Sequence, residues 1–231
     1  MSIRKKILAI SIGPVLVLGV ITLLFMLTMV KSSLMDEVQD ALKGTAAATL
    51  AAYDQNTGDY LESTNGDIWK GSYNISKSES LVDRIKENTG MDVTFFYGNK
   101  RIMTSALDKK GNRILGSEAG ERVVNQVIKG KKPFFSTNVS LDGTRNYGYF
   151  IPVYQNGTTD QVIGMVFVGT NKARKDAIVN KILGSIMMAL LVVMLLCIVT
   201  AMRMAASISK NIKNSVAVVG KLADGDLNVW V

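Results

Sequence analysis

The chain has 231 residues, 48% of them hydrophobic, with 27 basic and 19 acidic side chains, one cysteine and no histidine. Without histidine, Ser-His-Asp and Cys-His catalysis and the usual zinc sites are excluded, and one cysteine cannot close a disulfide within the chain; carboxylate, Lys, Tyr and Ser chemistry stay open. The net charge of +8 lies largely at the ends, because residues 31–181 hold 20 basic and 17 acidic residues, and no basic stripe with interleaved aromatics marks a nucleic-acid partner.

Arg4, Lys5 and Lys6 lead into Ile7 to Val30, a run of 24 residues without a charge. At about 1.5 Å rise per residue it spans roughly 36 Å, enough to cross a hydrocarbon core with some tilt. The run is about twice the apolar stretch of a secretory signal peptide. The small residues Ala46, Ala47 and Ala48 lie well past it, beyond Asp36, Glu37 and Asp40, so an uncleaved anchor is expected. Leu34, Val38, Leu42, Thr45, Thr49 and Ala52 then recur at intervals of four and three. This predicts that the membrane helix runs on outward, with a seam that one short chain cannot bury alone.

Gly58, Gly66 and Gly71 among polar residues predict a loop over Asn56 to Gly71. A helix follows from about Ser78 to Asn88, with Ser78 or Ser80 as cap and Leu81, Val82 and Ile85 inward. From Met91 the texture changes to short β-branched and aromatic runs separated by turn residues, the pattern of an antiparallel sheet. Strands are predicted at Asp92 to Tyr97, Lys100 to Ala106, Arg113 to Leu115, Phe134 to Leu141, Thr144 to Tyr154 and Val162 to Thr170, the last apolar throughout and therefore central. The turns are Gly98-Asn99, Asp108 to Gly111, Asp142-Gly143 and Asn156-Gly157. Glu121 to Lys129 reads as a short helix inserted into the sheet.

Ile182 to Met202 is a second charge-free run and contains Cys197. Basic residues close to spans favour the cytoplasm, which places Arg4, Lys5 and Lys6 with Arg203, Lys210 and Lys213 inside. Lys172, Arg174, Lys175 and Lys181 pull the other way, yet long loops translocate largely regardless of charge. After the second run Ile208, Ile212, Ser215, Val219 and Leu222 keep a spacing of four and three, followed by Gly225-Asp226-Leu227. The seam fits a parallel bundle, and the glycine can end the helix with positive φ.

Two stretches carry a resemblance. Asn88 to Phe96, Thr104 and Asp108 with Gly111 to Gly116, and Val162-Ile163-Gly164-Met165-Val166-Phe167-Val168-Gly169 resemble the single-Cache sensor domains of bacterial chemoreceptors, over about residues 31–181. The segment Ile208 to Leu227 resembles the first helix and exit turn of a HAMP signal-relay domain, with Asn211 where family members usually carry a proline. The resemblance implies an α+β membrane protein: two transmembrane helices, a long N-terminal sensor helix, a PAS-like antiparallel sheet and a HAMP helix. Its parts are then a tip and first span at 1–30, an extracytoplasmic sensor at 31–181, a second span at 182–204 and the start of HAMP at 205–231.

Alternation within strands nominates ligand-binding side chains. Val93, Phe95 and Tyr97 share one face, and Arg145, Tyr147, Tyr149 and Ile151 share another. If both rows line one cavity, the rings form its walls and the hydroxyls give directional hydrogen bonds. Arg101, beside Met103 and Ser105, can grip a carboxylate bidentately, and Thr104 on the opposite face matches the family pattern. Asp108 and Arg113 are read as turn and surface residues.

The resemblance implies a chemotaxis receptor in a bacterial inner or plasma membrane, methyl-accepting, binding a small metabolite such as an organic acid and relaying through Ile208, Ile212, Val219, Leu222, Gly225 and Asp226. It implies a homodimer, no cofactor or metal, and a kinase scaffold reached only through a signalling region beyond Val231. The input half of a membrane histidine kinase or nucleotide cyclase uses the same modules. A membrane-tethered carboxylate-dependent hydrolase ranks last, because no acidic pair stands in a catalytic frame and no Gly-rich phosphate loop follows a strand.

Overall fold

A computed structural model describes residues 3–223, with side-chain environments from 7 to 220. The chain divides into two compact units, Met1–Ser32 with Asn180–Val231, and Ser33–Val179.

Among the described residues the first unit consists of helix. Helix α1 (Ile3–Asp54) and helix α4 (Lys172–Ala223) each have 52 residues. Their most apolar windows reach mean hydropathies of 2.6 and 3.0, yet only 6% of either window is buried. Leu18, Ile21 and Phe25 on α1 and Leu195 and Leu196 on α4 are exposed. A water-soluble core helix would bury such residues, whereas lipid solvates them, so the pair reads as two membrane spans. Lipid offers no hydrogen bonds, and the polar side chains bond within their own helix: Thr22 and Thr28 donate to the carbonyls of Leu18 and Leu24 at 2.8 and 3.0 Å. Helix α4 continues unbroken through Asn211, as an asparagine permits and a proline would not. Ile208, Ile212 and Val219 are exposed on it. Leu222 lies in α4, and Gly225, Asp226 and Leu227 lie outside the described residues.

The second unit is a five-stranded antiparallel sheet with helix on both faces. Its strands are β4 (Asp92–Tyr97), β5 (Lys100–Thr104), β6 (Phe134–Leu141), β7 (Thr144–Tyr154) and β8 (Val162–Asn171), in spatial order β5-β4-β8-β7-β6. Strand β8 is central, as its unbroken apolar run predicts, and nearly every residue of it is buried. One face packs against the distal half of α1 and against α2 (Glu79–Thr89), which Gly90 ends in the left-handed conformation at φ 68°. Val38, Leu42, Ala46, Thr49 and Tyr53 of α1 are all buried here. The expectation that one chain cannot bury this seam is overturned, because the chain's own sheet supplies the apolar surface. Each large side chain so buried contributes about 1.5–3 kcal/mol.

Three further corrections concern boundaries. The expected loop at Asn56 to Gly71 contains two short strands, β1 (Tyr60–Glu62) and β2 (Ile68–Lys70), and β3 (Tyr73–Asn74) completes a small antiparallel sheet. Only Tyr60, Ile68 and Lys70 are buried in these strands, too few for a periodic signal. Strand β5 stops at Thr104 rather than Ala106, because side chains take over the ladder. The Ser105 hydroxyl accepts from the Val93 amide at 2.9 Å, and the Thr104 hydroxyl accepts from the Ala106 amide at 3.1 Å. Arg113 to Leu115 is no strand and keeps only a single bridge between Leu107 and Arg113. Arg113 is also no mere surface residue: its guanidinium grips both oxygens of Asp83 on α2 at 2.8 and 2.6 Å and donates to the Thr104 carbonyl at 2.7 Å.

The opposite face of the sheet is covered only in part, by α3. This helix begins as one α-turn at Glu121–Val123 and continues as a π-helix at Val124–Lys129. Its Val127 packs on Phe96, Phe150, Met165 and Phe167 in a second apolar cluster.

Candidate functional site

The partly covered face opens into a cavity of about 510 Å³, the volume of a small-molecule site. Strands β4, β5, β7 and β8 supply Phe96, Arg101, Phe150 and Phe167; β6 supplies Phe134 to Ser140; the segment Glu118 to Val123 closes the remaining side. A second hollow, of about 340 Å³ between α1 and α2, is lined by small and apolar residues such as Gly44, Ala48 and Leu81 and contains no charged side chain.

Arg101 distinguishes the first cavity. Regular alternation would put it on the face of Met103, which pairs with Phe95 under the helices. A β-bulge intervenes: Phe95 pairs with Met103, but the next residue, Phe96, pairs with Arg101. The extra residue, Ile102, turns Arg101 to the open face. There it is only 8% exposed, with its guanidinium 5.4 Å over the Phe96 ring. Nη1 donates to the Ile114 carbonyl at 3.2 Å, while the buried Nε has no hydrogen-bond partner. Burial alone pulls its pKa down, with no carboxylate pulling back. Arginine stays protonated in proteins, so the cavity holds a buried cation with an unused donor, a costly arrangement unless an anion meets it. At the exposed rim Arg122 lies 5.4 Å over the Phe134 ring, and the exposed Glu118 also lines the cavity.

Of the eight nominated ligand contacts, Arg101 alone lines this cavity. Alternation pairs Phe95 with Tyr97 and Tyr147 with Tyr149; the two rows do meet on one face, but that face is covered by helices. Phe95 meets Tyr53 edge-on at 5.1 Å and stacks on Tyr60 at 5.8 Å. Thr104 is spent on a 2.6 Å hydrogen bond with Thr94, and Ser105 on the Val93 amide. Arg145 is exposed beside the β6–β7 turn. Sequence reasoning missed Phe134, Phe135, Phe150, Phe167 and Arg122. The available signal was a pair of isolated glycines inside strands, Gly148 and Gly169, which mark a close approach or a space to be filled.

A polar cluster ties the sheet to the start of α4. The Tyr147 hydroxyl donates to Asp176 at 2.5 Å and accepts from Lys172 at 2.6 Å, and Lys172 pairs with Asp176 one turn on at 3.3 Å. Burial, and next the hydrogen bond to Asp176, raise the Tyr147 pKa; the bond that Lys172 donates to Tyr147 raises the Lys172 pKa. Phe135 of β6, a strand that borders the cavity, turns its ring to the closed face and stacks there on Tyr147 at 6.3 Å and 10°. Strand β6 therefore runs between the cavity and the residues that hold the first turns of α4.

No curated protein matches the chain. The solved structures to which the chain is similar include three sensor or receptor domains. An extracellular ligand binding receptor from Desulfohalobium retbaense is 14% identical over 64% of this chain and 25% of its own, with a TM-score of 0.45. The E. coli DcuS sensor domain is 13% identical over 66% and 98%, with a TM-score of 0.38. The sensory domain of the Campylobacter jejuni chemoreceptor Tlp3 is 11% identical over 75% and 64%, with a TM-score of 0.41. The match thus spans a quarter of the Desulfohalobium receptor's length. The family model for single Cache domain 3 matches residues 73–182, which include the whole five-stranded sheet and its cavity. Over those residues the sheet domain is similar to single Cache domains.

Proposed function

We propose that the chain is the input part of a bacterial transmembrane chemoreceptor, binding a small carboxylate-bearing metabolite outside the cytoplasm and signalling inward through α4. The observation that carries the ligand class is Arg101, a buried guanidinium with an unpartnered Nε on the wall of the cavity. A ligand carboxylate there gains a charge-assisted hydrogen bond and relieves the orphaned donor. The protein acts by binding, as sensors of this class do, and needs no catalytic group.

Both termini lie in the cytoplasm in this reading, with Arg4, Lys5, Lys6, Arg203, Lys210 and Lys213 on the inner side. Ligand in the cavity shifts strand β6, and with it the Phe135 ring on the other face of the sheet. The motion passes to Tyr147 and from its hydroxyl to Lys172 and Asp176, and so into α4, which runs without a break to Ala223. A differential affinity of about 1–3 kcal/mol between two arrangements of this junction suffices to shift the population several-fold or more. The homodimer rests on the exposed apolar positions Ile208, Ile212 and Val219, which continue as a HAMP-like seam with Leu222, Gly225 and Asp226. A histidine kinase or cyclase input would share this geometry; loss of swimming response rather than of transcription or nucleotide signal on gene deletion distinguishes the chemoreceptor.

The direct test is calorimetric titration of the purified full chain in nanodiscs with a panel of small carboxylates. Binding by at least one member, weakened roughly 10- to 150-fold by Arg101→Ala, is the expected result, since a hydrogen bond to a charged group is worth about 1.5–3 kcal/mol. Equal affinity in wild type and variant removes Arg101 from the site.

A further inference from the structure

Resting on the reading of the Arg101 cavity as the ligand site, we propose that its ligand is a monocarboxylate with a flat apolar body, in the simplest case an aromatic acid, and not a compact dicarboxylate or a short-chain acid.

The floor of the cavity is the first ground. Gly148 on β7 and Gly169 on β8 pair directly across the sheet, and the ring of Phe167 lies down over both of them. A Cβ at Gly148 would stand 2.5 Å from Phe167 Cε2, and one at Gly169 would stand 2.4 Å from its Cζ. Those distances are inside van der Waals contact, so only two glycines in register let the ring fold onto the sheet. Any larger pair would lift Phe167 into the cavity. Phe150 lies beside it at 4.7 Å between ring centres, and Phe134 lies 6.4 Å beyond Phe150. Three phenyl rings thus form a continuous array in which Phe167 and Phe150 are buried and the half-buried Phe134 is the open end, where a fourth ring packs offset or edge-on.

Charge placement is the second ground. Arg101 is the single charged side chain that is buried in the cavity wall; Arg122 and Glu118 are exposed at its rim. One buried cation matches one carboxylate. A second carboxylate on a compact ligand would be pressed against the phenyl array, with no buried donor to replace its lost water. The hydrogen-bonding groups at Thr137, Asn138 and Ser140 are exposed and belong to the mouth, so the deep end is left to apolar atoms. A cavity of about 510 Å³ also far exceeds what a two- or three-carbon acid fills.

The experiment is calorimetric titration of the full chain in nanodiscs with phenylacetate, benzoate, acetate, succinate and benzyl alcohol. Phenylacetate or benzoate is expected to bind at least tenfold tighter than acetate, succinate or benzyl alcohol. Gly148→Ala, which drives a methyl group into the position of the Phe167 ring, is expected to weaken the aromatic acid tenfold or more. Phe134→Ala, at a half-buried position, covers the case in which Gly148→Ala fails to fold, and is expected to weaken the aromatic acid several-fold with acetate unchanged. Tighter binding of succinate or acetate, lost in Arg101→Ala, overturns the apolar-body inference and leaves the carboxylate site standing. Equal binding of benzyl alcohol and benzoate overturns the monocarboxylate part. Aromatic-acid binding unmoved by both Gly148→Ala and Phe134→Ala places the ring elsewhere and overturns the inference. No binding by any acid, or none sensitive to Arg101→Ala, fails the site reading itself.

Discussion

The two faces of the five-stranded sheet are built from the same strands by the same alternation, yet one is closed and the other is open. On the closed face Tyr53, Tyr60, Phe95 and Tyr147 are all nearly or fully buried, and each hydroxyl has a partner: Tyr53 with Ser78, Tyr60 with Asp54, Tyr147 with Asp176. On the open face Arg101 keeps an unpaired nitrogen, and a ring array borders an unfilled volume. The difference shows where a small domain places its stability: one face holds the fold, and the other keeps a cavity and an unpaired donor. Polar groups that are satisfied internally have no use for a ligand.

The comparison breaks most readily on phenylalanines from opposite faces. Phe95→Ala, in the closed core, is expected to cost about 3–5 kcal/mol in denaturant unfolding, by lost transfer energy and a residual cavity, while Phe134→Ala costs far less. Equal losses would mean that the faces are not distinct. Arg101→Met sharpens the contrast with an opposite sign. Replacing a buried cation that lacks a full set of partners by an apolar chain of similar length should leave the ligand-free protein unchanged or more stable by about 1–3 kcal/mol, while removing carboxylate affinity. A clear drop in melting temperature would show that Arg101 is structural.

A smaller effect is expected where the sheet meets α4. Tyr147→Phe removes two hydrogen bonds and should cost about 1–2 kcal/mol, with ligand affinity nearly kept and the signalling response lost. Retained signalling would cut the proposed path at that hydroxyl. Smallest is the clamp of Arg113 on Asp83. The hydrogen bonds from Arg113 foremost hold the Asp83 carboxyl below its usual range. A folded value below the unfolded one of about 3.9 means that the contribution is present above that pH and fades as pH falls through the lowered folded value. The carboxylate is 43% exposed, so solvent screening keeps the gain within about 1 kcal/mol. Unfolding curves of wild type and Asp83→Asn should therefore differ slightly at pH 7 and converge in acid.

Much of the architecture was legible. The seam at Val38, Leu42 and Thr49 predicted a helix running past the first span, and α1 does so. The glycine-containing turns predicted four of the strand boundaries because turn chemistry is local. The candidate site was far less legible. Alternation correctly grouped Phe95 with Tyr97 and Tyr147 with Tyr149, but a period of two says which residues of a strand share a face, never which face a helix will cover. Arg101 was read on the face of Met103, whereas one bulge residue, Ile102, turns it to the open face. The strands β1 and β2 escaped notice because two or three residues each cannot show a period.

What the sequence determined by itself is the partition of the chain: two charge-free runs too long for a core, a nearly neutral centre with an apolar central strand, and turns where glycine and aspartate stand. These follow from solvent preference and local backbone geometry, which each short segment carries without its neighbours. What only the tertiary structure decided is the site. Burial of the α1 seam on its own sheet, the turning of Arg101 toward the cavity and the lowering of Phe167 onto the paired Gly148 and Gly169 all depend on register between strands far apart in the chain. Register is set by the packing of the whole domain.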